Sequence, residues 1–283
     1  MKIGVHTSIS GGLHRSLERA NSLGCNTVQI FTHNPRAWNV KKITEEESSL
    51  FRTLRTDLSI SPIYIHASYL INLASEDRIL QKKSINLLIN EMERADTIGA
   101  DYVIVHLGSS ADNNKGASRK RIISALTEIS ESRFWKAGLI IENTAGEKGD
   151  ISSQIVDLYE IINCVKETLI RGICIDTCHV FAAGYDIRND KGIKRLFEEI
   201  KYYIGLDKFK VIHLNDSKGD LGSKIDRHEH IGAGRIGIAG LKKFLKHFYF
   251  TNAPIILETP KKQETDDIEN LIKVRKMLYS NIS

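Results

Sequence analysis

The chain has 283 residues, of which 41% are hydrophobic and 27% charged, an ordinary globular composition that permits a sizeable core. A net charge of +5 permits a polyanionic partner but does not require one. No signal-peptide run is present, and no segment approaches the ~20 apolar residues of a membrane span. The four cysteines form no Cys-x-x-Cys pair. We therefore expect a cytoplasmic protein with free thiols and no membrane partner.

Eight short runs rich in valine and isoleucine recur along the chain, and most of their residues are apolar on both faces. This pattern is typical of parallel strands that are buried on both sides. The runs cover residues 2–8, 26–32, 62–68, 101–108, 138–144, 171–177, 210–216 and 254–260.

Amphipathic stretches separate these runs and have the spacing of helices, most clearly at 13–24, 79–98 and 265–278. Gly99 is a plausible stop for the second of them. Eight strands alternating with helices predict an α/β fold, a (β/α)8 TIM barrel that spans residues 1–283 as a single domain. A doubly wound open sheet would alternate in the same way and is the alternative.

Six consecutive strands carry an ionisable side chain near their C-terminal ends. These residues are His66, His106, Glu142, Asp176, His213 and Glu258. A single histidine at a strand end is usually structural, but a barrel directs all six side chains into one opening. Several uncompensated carboxylates cannot remain ionised together in a partly dry site, and cations would resolve the conflict. Imidazole and carboxylate donors suit Zn²⁺, Mn²⁺ or Fe²⁺.

Two loops add further donors at the same end of the barrel. His179 follows Asp176 by three residues, and Asp226 and His228 alternate in the stretch DRHEHIGAG. If that stretch is extended, Asp226 and His228 project to the same side and can bind one ion. These two residues and His179 therefore form a set of three ligands that is separate from the six residues at the strand ends, which can themselves hold two ions if a carboxylate bridges them.

A thiolate site is the alternative for this region, with Cys174, Cys178 and His179 as its ligands. Strand alternation places Cys174 on the same side as Asp176, deep in the barrel. His6, at the end of the first strand, is expected to support the ligands without binding metal.

Nine motifs in order together resemble the endonuclease IV family of apurinic/apyrimidinic endonucleases. They are HTSISGG, QIFTHNPRAW, IHASYLINLA, IVHLG, IENTAG, DTCHVFAAGYD, HLNDSK, DRHEHIGAG and LETP, and they run from residue 3 to about residue 260. Each motif alone is weak, but their order and spacing are specific. The resemblance implies a TIM barrel that holds three zinc ions.

The resemblance also implies how the ligands are shared among the three ions. His66, His106 and Glu142 would bind the first zinc, and Glu142 would bridge to a second completed by Asp176, His213 and Glu258. The third zinc would be bound by His179, Asp226 and His228. Glu142 and Glu258 would be the catalytic carboxylates, acting with a hydroxide that bridges two metals.

Three loop residues match the family's contacts in the DNA minor groove: Arg36, Tyr69 and Leu70. The resemblance implies hydrolysis of the phosphodiester 5′ to an abasic site in duplex DNA, which gives a 3′-hydroxyl and a 5′-deoxyribose phosphate. It also implies that the enzyme removes 3′-blocking groups. We expect it to act in base excision repair as a monomer. Residues 147–150, Glu-Lys-Gly-Asp, depart from the expected Gln-Gly. A sugar isomerase or epimerase and a non-catalytic DNA-binding protein are the alternative functions.

Overall fold

The computed structural model describes residues 1–111, 114–248 and 252–279. Its strands are β1 (Ile3–Thr7), β2 (Val28–Ile30), β3 (Ile63–His66), β4 (Tyr102–Val105), β5 (Gly138–Glu142), β6 (Ile170–Asp176), β7 (Phe209–His213), β8 (Asp216–Ser217), β9 (His228–Glu229) and β10 (Ile255–Leu257). Its α-helices are α1 (Leu13–Ser22), α2 (Glu45–Asp57), α3 (Arg78–Ile98), α4 (Lys115–Ser132), α5 (Ile155–Ile162), α6 (Thr177–Ala182), α7 (Asp190–Glu199), α8 (Gly237–Phe248) and α9 (Asp266–Tyr279).

Strands β1 to β7 and β10 form a closed barrel in which all neighbouring strands are parallel. The pairing of β1 with both β2 and β10 closes the barrel, which confirms the predicted (β/α)8 fold and excludes the open sheet. Each predicted run overlaps one barrel strand, but several strands are shorter than predicted. The run 254–260, for example, contains only the three residues of β10, because the flanking residues belong to loops at the barrel ends.

The predicted helices at 13–24, 79–98 and 265–278 are present as α1, α3 and α9. The side chain of Asp77 accepts hydrogen bonds from the N–H groups of Ile79 and Leu80 and so caps the start of α3. Gly99 ends the same helix in the left-handed conformation, with a φ of 71°, as its place in the sequence indicated. Within the described ranges, no helix is both long enough and apolar enough to cross a membrane.

One layer of side chains in the barrel interior explains how the site residues are placed. Its members are fully buried and come from six strands: Tyr64, Ile104, Ile140, Cys174, Val211 and Ile256. Side chains alternate along a strand, so the residue two positions later points to the same side. Those residues are His66, His106, Glu142, Asp176, His213 and Glu258. The strands therefore place six ionisable side chains directly above an apolar layer.

We expect Ile140→Ala to lower the free energy of unfolding by about 2–5 kcal/mol, because it leaves a cavity in this layer. Ile79→Ala is the control, since Ile79 is 69% exposed and its truncation should change stability by less than about 0.5 kcal/mol. Urea denaturation measures both. Equal effects of the two substitutions would show that the layer does not support the barrel.

Candidate metal centre

The first group of donor side chains consists of His66, His106 and Glu142. The Nε2 atoms of both histidines lie 3.4 Å from Oε2 of Glu142. Donor atoms of the three residues all lie within 4.8 Å of one another, which is close enough to bind a single ion. Glu142 is fully buried, and its Oε2 has no hydrogen-bond partner. A buried carboxylate oxygen without a partner is costly unless a cation occupies the space beside it.

The second group shares Glu142 and adds Asp176, His213 and Glu258, again with donor atoms within 4.8 Å of one another. Nδ1 of His213 lies 2.9 Å from Oε1 of Glu142 and 3.0 Å from Oε2 of Glu258. Glu142 therefore directs one carboxylate oxygen toward each of two groups. This is the geometry of a bridging carboxylate.

The third group consists of His179, Asp226 and His228. Oδ1 of Asp226 lies 3.1 Å from Nε2 of His179 and 3.5 Å from Nε2 of His228. Asp226 and His228 thus point to the same side, and His228 lies in β9, which pairs with β8. Asp176 caps the start of α6 by accepting the N–H of His179 at 3.0 Å, and this first turn returns His179 to the strand ends.

Hydrogen bonds to backbone carbonyl groups fix the orientation of three of the imidazoles. Nδ1 of His66 lies 2.8 Å from the backbone oxygen of Ala67. Nδ1 of His179 lies 2.9 Å from that of Asn143, and Nδ1 of His228 lies 3.1 Å from that of Glu258. When Nδ1–H donates to a carbonyl, the Nε2 lone pair is free to bind a cation. The Nε2 atoms of His179 and His228 are buried and have no hydrogen-bond partner, which fits that role.

Three carboxylates of the site have lowered pKa values despite their burial. Burial raises the pKa of Glu142 and of Glu258, but the neighbouring histidines, His213 foremost, together lower it by more, and both pKa values lie well below the ordinary range. Burial also raises the pKa of Asp226, an effect that the nearby imidazoles, His179 foremost, together more than reverse. The residues thus supply anionic oxygens and imidazole nitrogens in three groups, a donor set that fits divalent transition-metal ions.

The two buried cysteines near the site are poorer ligands. Cys174 lies with Glu142 and His213, and Cys178 lies with Asp176 and His228, so each could complete a group of three. Burial raises the pKa of both thiols, however, which favours the neutral form that binds metal weakly. No group in the described part of the chain contains both cysteines, so the alternative set is not assembled. All four cysteines are free.

Several polar residues that support the donors were not identified from the sequence. The Gln29 amide donates to Oε1 of Glu258 at 2.5 Å, and its oxygen lies 2.7 Å from Nε2 of His213. Asn215 donates to Oδ2 of Asp176 at 2.6 Å and accepts the N–H of Glu258 at 2.9 Å. Gln29 lies in β2 and Asn215 follows β7 by two residues, and this nearness to barrel strands was the available signal. His6 lies 3.7 Å from Oε1 of Glu258, beside the donors.

Asp216 was also missed, and it holds the loop that follows β9. Its carboxylate is fully buried and accepts the backbone N–H groups of Ser217, Gly232, Gly234, Ile236 and Gly237 at 2.8–3.3 Å. Gly234 has to be glycine, because a Cβ atom there would lie 2.4 Å from the Ser217 carbonyl oxygen. This loop fixes β9 and with it the third donor group.

Six of the nine donors line a cavity of about 450 Å³ at the C-terminal end of the barrel, which we call the mouth cavity: His66, His106, His179, Asp226, His228 and Glu258. Tyr69 lines it and is 63% exposed, with its ring 5.2 Å from that of Phe31. Arg36 is exposed in the loop after β2. Leu70 is partly buried and packs on the core. Cavities of about 610 and 800 Å³ lie elsewhere and contain none of the donors.

Comparisons with known proteins agree with this architecture. A family model described as a xylose isomerase-like TIM barrel matches residues 17–280. A probable endonuclease 4 from Halothermothrix orenii is 41% identical over 276 residues, which are 96% of this chain and 99% of that protein. The crystal structure of endonuclease IV from Thermus thermophilus has a TM-score of 0.87 at 34% identity and covers 99% of this chain and 100% of its own. A D-tagatose 3-epimerase-like protein shares the fold alone, with a TM-score of 0.74 at 20% identity and full coverage of both chains, 100% each.

We expect Asp216→Asn to lower the free energy of unfolding by about 1–3 kcal/mol, because the amide leaves buried N–H donors without an acceptor. Asp220→Asn is the matched control, since the Asp220 side chain lies nearby in sequence and is 79% exposed. Denaturant titration compares the two variants. If they are equally stable, the carboxylate of Asp216 does not hold this loop.

Proposed function

The chain belongs to the endonuclease IV family, and we propose that it hydrolyses the phosphodiester on the 5′ side of abasic sites in duplex DNA. The products are a 3′-hydroxyl and a 5′-deoxyribose phosphate, and the same site removes 3′-blocking groups. We assign this activity to base excision repair in the cytoplasm, carried out by a monomer with a single TIM-barrel domain.

The observation that carries this proposal is the grouping of nine nitrogen and oxygen donors, six of which line the mouth cavity. Their atoms lie within 4.8 Å of one another in each of three groups, and Glu142 belongs to two of them. We propose that each group binds one zinc ion, three in all. Bound zinc ions lower the pKa of a coordinated water and neutralise charge on a phosphate.

The protein's own residues orient the reaction. The Glu142 and Glu258 carboxylates lie close together, at 2.9 and 3.0 Å from the same nitrogen, Nδ1 of His213, and we propose that they orient the attacking water. The Gln29 amide holds Glu258 from the other side. These two carboxylates are the residues that we propose to be catalytic.

The loops around the mouth cavity provide contacts for DNA. A recessed site cannot reach a phosphate in a straight, stacked duplex, so the DNA has to be bent and the abasic nucleotide has to leave the stack. We propose that Arg36, Tyr69 and Leu70 enter the minor groove and stabilise that distortion. An abasic site has lost the stacking of one base and opens at a lower free-energy cost, which gives selectivity.

The two alternative functions account for fewer of these features. Sugar isomerases and epimerases with this barrel generally need one or two metal ions, which leaves His179, Asp226 and His228 without a role. A non-catalytic DNA-binding protein needs no metal donors in a recessed site. Ketose turnover without cleavage of abasic DNA would favour the first alternative, and binding without cleavage would favour the second.

We expect metal-loaded protein to cut a labelled duplex once, 5′ to its single abasic site, and to leave an end that a polymerase extends. Glu258→Gln should lower kcat/KM at least about 100-fold, because even residues that only orient a metal ligand contribute 10–100-fold. Gel analysis of the cut strand measures both.

Glu264→Gln is the matched control, because Glu264 is exposed and does not line the mouth cavity. It should cut like the wild type. Activity of Glu258→Gln within tenfold of the wild type would remove Glu258 from the catalytic residues. A wild-type protein that leaves abasic DNA intact would refute the proposed function.

A further inference from the structure

Two loops of the mouth cavity contact the same turn of α3. The loop after β2 carries Arg36, and the loop after β3 carries Tyr69, the residues proposed above to distort DNA. Glu91 and Arg94 lie three residues apart on α3 and therefore on one face of that helix. Neither was singled out by the sequence, and neither lines the mouth cavity.

Glu91 connects both loops through one carboxylate. Its side chain is 1% exposed. Oε2 accepts the hydroxyl of Thr32 at 2.9 Å, while Oε1 accepts Nε2–H of His33 at 2.8 Å and the backbone N–H of Ser68 at 3.2 Å. Thr32 and His33 belong to the loop that carries Arg36, and Ser68 directly precedes Tyr69. Hydrogen bonds to a buried carboxylate are charge-assisted and stronger than those between neutral groups.

Arg94 fixes the first of these loops at two points along its length. Its Nε and Nη2 atoms donate to the hydroxyl and carbonyl oxygens of Thr32 at 2.7 and 2.5 Å, and Nη1 donates to the Lys41 carbonyl oxygen at 2.6 Å. The Ser68 hydroxyl also donates to the Pro35 carbonyl oxygen at 2.7 Å, which joins the two loops directly beside Arg36.

We propose that Glu91 is a positioning residue that sets the placement of Arg36 relative to Tyr69, and through them the selectivity for a distorted duplex. This inference rests on the proposed function, because it assigns DNA contacts to those two side chains. Arg36 and Tyr69 stand on different loops, so their separation depends on what holds the loops together. A displacement of about 1 Å in a positioning group can reduce a rate about 100-fold.

The test compares Glu91→Ala with the wild type on two substrates. The first is an intact duplex with one abasic site, which has to be distorted, and the second is a nicked duplex with a 3′-phosphate, which is already flexible at the reacting end. On the abasic duplex, kcat/KM should fall about 10- to 100-fold, mainly through KM. On the nicked duplex the loss should be several-fold smaller, and the zinc content should equal that of the wild type.

Two further variants separate positioning from general damage. Glu93→Gln changes an exposed glutamate on the same helix and should behave as the wild type. Glu91→Gln retains an acceptor oxygen and should lose less than Glu91→Ala, which leaves three donors without that acceptor. If Glu91→Ala does not fold, Glu91→Gln is compared on the same two substrates.

A fluorescent base opposite the abasic site reports distortion without cleavage, in the Glu258→Gln background. Its fluorescence should rise on binding, and Glu91→Ala should reduce that rise. Equal losses on both substrates, depleted zinc, or unchanged cutting by Glu91→Ala would overturn the positioning role while leaving the proposed function intact. Failure of the wild type to cut abasic DNA would instead overturn the proposed function, and with it this inference.

Discussion

The Glu142 carboxylate lies fully buried between two groups of donors, and the arrangement of the site depends on positive charge being supplied to both of its oxygens. His213 approaches Oε1 at 2.9 Å, whereas Oε2 has only the more distant nitrogens of His66 and His106 at 3.4 Å and no hydrogen bond. An ionised carboxylate in such a place is tolerated only beside cations. Burying the Glu142 carboxylate in this way is destabilising, and the rigid barrel around it holds the side chain in place.

That rigidity comes from the apolar layer beneath the donors. Each of six strands contributes one interior residue to the layer and, two positions later, one donor to the site. The fold and the site are thus two consequences of the same strand alternation. A shift of one strand by a single residue would exchange its donor for a residue that faces the helices.

Much of this arrangement could be predicted from the sequence, because alternation and parallel pairing are regular. The runs that contain Glu142, Asp176 and His213 were apolar enough to identify both the strands and the inward-facing residues near their C-terminal ends. The alternation of Asp226 and His228 also indicated that both could project to the same side, as their contacts with His179 and with each other show. Whether these residues bind metal in the predicted groups remains a prediction.

The roles of the supporting residues depend on tertiary contacts, which a local sequence pattern does not predict. Gln29 and Asn215 are ordinary polar residues in sequence, and only the closed barrel shows that they hold Glu258 and Asp176. Glu91 lies in a helix 23 residues beyond Ser68, and its sequence context is that of any amphipathic helix. Leu70 was predicted to contact DNA, and its sequence gave no sign that it is also partly buried and packs on the core.

Anomalous X-ray diffraction at the zinc absorption edge, from crystals of zinc-loaded protein, tests the central claim most directly. The account predicts three peaks, each about 2.0–2.2 Å from the nitrogen and oxygen atoms of one donor group, with Glu142 bound to two of them. Two peaks or fewer in fully loaded protein, or a peak coordinated by Cys174 or Cys178 in place of these donors, would contradict it.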